Sequence, residues 1–225
     1  MASAIGPVIS FGVGVSLSPL AVIAVILMLG APDARLNGLA FIASWALGLA
    51  VLGTVVLLVA DGADAGEGGT PSTWVGVVQL MLALGLLVVA VRQWNGRARD
   101  DTNSELPAWM QSVETFSPLK AATMAVLFSS VKPKNLLLTI AAATAIAETG
   151  AGAGNQAIAM AIFVVLGTLG PGIPVAIYFL MGQRAASILS AMRDWMVREN
   201  NTIIVVLCVV MGAKLTGDEL STLAS

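Results

Sequence analysis

Histidine is absent from the 225 residues, which removes the imidazole as general acid or base, as metal ligand and as a switch near neutral pH. Cysteine occurs once, at Cys208, so neither an intrachain disulfide nor a cysteine metal cluster can form. The thiol reads as a small apolar group on a helix. Charge is scarce too: 11 Lys+Arg and 13 Asp+Glu make 11% of the chain, against roughly 25% in ordinary soluble domains. The net charge of −2 leaves no basic stripe, so a nucleic-acid partner is not expected. No Walker-type loop, metalloprotease motif or nucleophile elbow occurs. The expectation is therefore no enzyme, no catalytic residue, no metal and no cofactor.

What the chain does have is apolar length. Apolar residues are 57% of it and the mean hydropathy is +0.91. So few charges cannot cover a water-facing surface, and most of the chain is expected to face lipid or other apolar helices. A membrane helix needs about 20 residues. Uncharged or nearly uncharged runs lie at 2–31, 36–60, 71–91, 116–147, 156–180 and 201–213, which predicts six spans. The first residues carry no lysine or arginine, so the opening run reads as a retained helix rather than a signal peptide.

The connections alternate in base content. Arg35 lies in the first, Arg92, Arg97 and Arg99 in the third, and Arg184, Arg193 and Arg198 in the fifth. The second carries Asp61, Asp64 and Glu67 without a base, and the fourth only Glu148. Arginine-bearing loops stay cytoplasmic. The alternation predicts a multi-pass plasma-membrane protein with both termini outside the cytoplasm. Trp74, Trp94, Trp109 and Trp195 read as interfacial anchors.

Pro19 and Pro133 lie 114 residues apart, each after serine and inside an apolar run. An inverted repeat of three plus three helices follows: residues 1–91, a cytoplasmic loop over 92–115, and residues 116–225, in one transmembrane domain. The run 116–147 would span ~48 Å as one helix, too long for a ~30 Å hydrocarbon layer. Pro133 lacks an N–H, so two shorter helices are expected to meet at Lys132-Pro133-Lys134-Asn135. Ser16-Leu17-Ser18-Pro19 repeats the pattern in the first run. Each proline is either a simple kink or a true break that lines a site.

Lys132 and Lys134 are the most unusual feature, because a lysine in hydrocarbon is costly. Either both snorkel to headgroups, or they form a basic site for a carboxylate, sulfate or phosphate. No acid lies inside the runs to pair with them, so neither a proton relay nor a divalent-cation carrier is visible. In the fifth run, Gly167, Gly170, Pro171 and Pro174 read as a kink or gating joint, or as packing alone. Gly48, Gly53, Gly76 and Gly85 offer small surfaces for close helix packing.

These motifs carry a resemblance. Ser-Leu-Ser-Pro-Leu at 16–20, Lys-Pro-Lys-Asn-Leu at 132–136 and Val-Met-Gly-Ala-Lys-Leu-Thr-Gly-Asp at 210–218 resemble the lysine-exporter (LysE) superfamily, and more closely its GAP branch of peptidoglycolipid or sulfolipid addressing proteins. Pro19 matches the first-helix proline, and Pro133 with Lys134 the Pro-Lys pair. The asparagine that precedes proline in the amino-acid exporters is Lys132 here, with Asn135 following, which points away from amino-acid export. The resemblance implies movement of large envelope glycolipids and a larger lipid exporter as partner; self-association is left open.

The leading expectation is a transporter, or a transport-assisting protein, for an anionic envelope glycolipid. Ser16, Ser18, Pro19, Lys132, Pro133, Lys134 and Asn135 would contact the lipid. The alternatives are a small-solute exporter and a non-transporting accessory subunit of a lipid-export complex.

Overall fold

Proline placement sets where the helices stop. The computed structural model describes residues 2–64, 81–92, 94 and 116–223. Helix α1 runs Ala2–Ser16 and α2 Pro19–Leu29, with a 52° bend between them. Pro19 opens α2, where its missing N–H costs nothing and its fixed φ suits a first helical turn. Helix α2 is apolar on every side, and all its residues but Leu20 are buried. It is a core helix, packed against α3 (Ala34–Asp64), α7 (Ala153–Met181) and α8 (Ala185–Leu223).

Between α3 and α7 come α4 (Met81–Arg92), α5 (Pro118–Val126) and α6 (Pro133–Ala147). Ser117 caps α5 by accepting from the Lys120 N–H, and Pro118 follows at the first helical position. After α5 the backbone widens into a π-turn, Leu127–Val131. Lys132 then turns extended (φ −60°, ψ 124°), as a residue before proline must. Helix α1 packs on α6 and α7, and α3 on α5, α6 and α7. Trp45, Phe11, Phe41, Phe163 and Leu138 fill the interior between them.

The six-span layout is not what the chain forms. Among the described residues two helical stretches are long and apolar enough to cross a membrane, Ala34–Ala60 and Ala153–Asn200, and a third if the bent α1–α2 pair counts as one. Proline and length account for the difference. The run 116–147 divides into Pro118–Val131 and Pro133–Ala147. Pieces of that length reach ~21–23 Å, short of a ~30 Å layer. The run at 201–213 appears as Thr202–Lys214, another short apolar stretch, within the long α8. Hydropathy counts apolar residues without asking whether one unbroken helix carries them.

The inverted three-plus-three repeat falls with that count. So does the multi-pass topology with both termini outside the cytoplasm, which rested on base content alternating across six spans. Glu67, Gly76, Trp74, Trp109 and most of the 92–115 connection lie outside the described residues. The two long stretches do carry apolar side chains outward at helical spacing: Leu47, Val51, Val55 and Leu58 on α3, and Val165, Leu169 and Ile173 on α7.

Candidate functional site

A helix interrupted by proline leaves carbonyls without partners, and each needs a donor if it is buried. At the first break Pro19 cannot donate to Val15, and the Ser18 hydroxyl does so instead at 2.9 Å. The Ser18 N–H turns back to the Ser16 carbonyl at 2.8 Å, which releases the Gly14 carbonyl. The Ala21 N–H goes to Ser18, which releases the Leu17 carbonyl. Both released oxygens are taken by one side chain. Lys134 Nζ donates to the Gly14 carbonyl at 2.7 Å and to the Leu17 carbonyl at 3.0 Å.

The second break is closed in the same manner. The Lys132 N–H donates to Leu127 across the π-turn. The next residue is Pro133, so the Phe128 carbonyl has no backbone donor in that register. Asn135 Nδ2 donates to it at 2.8 Å. The Asn135 Oδ1 lies 3.1 Å from the Ser18 hydroxyl, whose single proton is shared between it and the Val15 carbonyl. Ser18 and Asn135 are therefore the stitch between two breaks 117 residues apart. Ser18, Lys134 and Asn135 are all buried, Lys134 at 2% exposure. Burial at that level is tolerable because Nζ meets two carbonyl oxygens.

Ser16, partly exposed, bonds back to Val13 at 2.9 Å. Lys132 diverges from Lys134 although only Pro133 separates them. Its side chain is partly exposed, and Nζ lies 5.8 Å from the centre of the Phe128 ring. That distance is within the range of a cation–π contact. Its neighbours Val131 and Pro133 are exposed. Seven candidate residues thus gather at one junction, with one lysine turned inward to the backbone and the other to the rim.

The fifth-run residues back this junction. Helix α7 passes through Pro171 and Pro174 without ending. Pro171 leaves the Gly167 carbonyl without its helical donor, and the indole N–H of Trp45 supplies one at 3.1 Å. Trp45 is fully buried and stacked on Phe41. Gly170 lies directly on the first break: a Cβ there would overlap the Ser16 carbonyl oxygen. Similarly, α3 approaches so closely at Gly48 that a Cβ would run into the hydroxyls of Ser129 and Ser130. Gly53 and Gly85 sit against Met160 and Leu137.

Trp45 escaped the sequence reading. A signal existed, since Pro171 must orphan the carbonyl four residues earlier, but nothing local names the donor. Asn37 was also missed. It is buried and donates to the Phe116 carbonyl at 2.8 Å, tying the start of α5 to α3. Trp45→Phe should keep the ring stack and remove the donor. The Gly167 carbonyl then stays buried and unpaired, at a cost of about 1–3 kcal/mol. Thermal unfolding in mild detergent should show a Tm several degrees lower.

A family model described as Sap, sulfolipid-1-addressing protein, matches residues 8–220. Neither the curated proteins nor the solved structures give a match. The wider placement in the lysine-exporter superfamily and its GAP branch is corrected accordingly: the described residues do not form the six-span layout behind it, and the match names the narrower family alone. A match over nearly the whole chain, including both proline breaks and the side chains that close them, makes this protein a member of the sulfolipid-1-addressing protein family.

Proposed function

We propose that the chain is an accessory protein that addresses an anionic envelope glycolipid to a larger exporter. The family's name supports a lipid-addressing role, and addressing is not catalysis. Among the described residues no group of three or more His, Cys, Asp or Glu gathers as for a metal.

One observation favours the accessory role over a self-sufficient transporter. The polar groups at the two breaks, which an internal route would have to offer to its cargo, are engaged by one another. Lys134 holds the Gly14 and Leu17 carbonyls, and Asn135 joins Phe128 to Ser18. In this reading Ser16, Ser18, Pro19, Pro133, Lys134 and Asn135 form the rigid seat, and Gly167, Gly170, Pro171 and Pro174 brace it from α7. Lys132, beside Phe128 at the rim, meets the anionic headgroup.

The test is lipid profiling of cells carrying Lys132→Ala at normal protein level. Surface glycolipid should fall severalfold while its precursor accumulates inside, and Lys132→Arg should retain most of the function. An unchanged lipid distribution would remove Lys132 from the contact. The purified chain alone should move no glycolipid across a liposome bilayer. Movement there would replace the accessory reading with an autonomous transporter.

A further inference from the structure

A second feature lies at the opposite end of α2 from the break. The C-terminal part of α2, the end of α7 and the start of α8 enclose a cavity of about 310 Å³. Its floor is apolar, formed by Ile26, Leu27 and Leu29 of α2 with Leu189 of α8. Its rim is polar, formed by Tyr178, Gln183, Ser190 and Arg193. The chain passes from α7 to α8 there through a 3₁₀ turn, Gly182–Arg184, entered by Gly182 at φ +53°, a conformation that favours glycine. That turn separates α7 from α8 and opens the space between them.

The rim has unfilled hydrogen-bonding capacity. Arg193 donates to Asp194 Oδ1 from Nε and Nη2, at 3.0 and 2.9 Å. A guanidinium has five N–H donors, so most remain available, in the fork geometry that suits phosphate or sulfate. Neither the Tyr178 hydroxyl nor the Gln183 amide has a hydrogen-bond partner among the described residues. An apolar floor beneath a donor-rich rim, whose guanidinium is paired with Asp194 at 2.9 Å, matches a molecule with hydrocarbon at one end and, sharing the guanidinium with that carboxylate, an oxyanion at the other.

We propose that this α2–α7–α8 cavity binds one anionic membrane lipid, its acyl part on Ile26, Leu27, Leu29 and Leu189 and its phosphate or sulfate headgroup on Arg193, Tyr178 and Gln183. The site is separate from Lys132. It rests on the lipid-handling reading only for the relevance of such a ligand, because the cavity's own chemistry selects it.

The full chain in mild detergent, titrated with dioleoyl phosphatidylglycerol and with dioleoyl phosphatidylcholine and followed by native mass spectrometry, tests this. The anionic lipid should bind about tenfold more tightly. Arg193→Gln should erase that preference, whereas Asp194→Asn, which keeps the guanidinium and frees its donors, should preserve or strengthen it. Ala186→Trp, on the exposed cavity wall, should weaken both lipids alike. In a Lys132→Ala background the preference should persist and should still be erased by Arg193→Gln, so a failure of this site and a failure of the addressing role are read separately. Inorganic phosphate at millimolar concentration should not compete. Equal binding of the two lipids, an unaltered preference in Arg193→Gln, or full displacement by inorganic phosphate would each overturn the proposal.

Discussion

Lys134→Met should be among the most destabilising single changes in this protein. Methionine fills a similar volume, so packing around the stem is largely kept, but the donors to the Gly14 and Leu17 carbonyls are lost. The buried Gly14 carbonyl left unpaired costs about 1–3 kcal/mol, and the Leu17 carbonyl, on an exposed residue, less. That is a large share of the roughly 5–15 kcal/mol that holds a typical fold. The expected readout is a Tm lower by roughly 5–20 °C in mild detergent, with reduced protein level in cells. Because the partners are carbonyls and not carboxylates, the loss should be nearly the same at low and high salt, unlike a surface ion pair. A melting temperature within a degree or two of the unmodified protein would show that the break closes by other means.

The second large effect sets two glycines of one helix against each other. Gly170→Ala puts a methyl group into the Ser16 carbonyl, and a backbone atom in a closed turn has nowhere to go. Helix α7 must lift off the α1–α2 junction, at a cost at or beyond the upper end of the ~1–3 kcal/mol usual for overpacking. Gly172→Ala, two residues on, meets nothing within 4 Å and should gain roughly 0.5–1 kcal/mol from helix propensity. Expression level and Tm should move in opposite directions for the two variants. Parallel changes would mean that α7 does not press on the break as described.

The prolines made part of this junction legible. A residue without an N–H opens the hydrogen-bond ladder, even where the helix runs on as at Pro171 and Pro174, and inside the two over-long apolar runs it made the break positions legible at Pro19 and Pro133. The identity of the repair could not. Lys134 reaches carbonyls 117 and 120 residues away, and Ser18 reaches Asn135 over the same span of chain. No local pattern encodes those pairings. Lys132 and Lys134 also look equivalent in sequence, one on each side of a proline. The extended backbone at Lys132 followed by the first turn of α6 sends them to different surroundings.

The architecture was less legible than the breaks. Apolar composition is shared by a helix that faces lipid and by one such as α2 that is enclosed by other helices, so runs of hydropathy overcounted the spans. The π-turn at Leu127–Val131 left no mark in the residue pattern either. Its wider register exists because the Phe128 carbonyl finds its donor on a side chain seven residues later.

The stitch between the two breaks bears on how the chain is born. When Gly14 and Leu17 are joined to the growing chain, the lysine that will close their carbonyls is still 120 and 117 codons from translation. At roughly 5–20 residues per second the wait is on the order of 6 to 25 s. During that interval the bent α1–α2 pair must shelter its open backbone with water or other transient donors. Maturation therefore begins with synthesis of α6, and a nascent chain stalled before that point should remain a substrate for quality-control proteases.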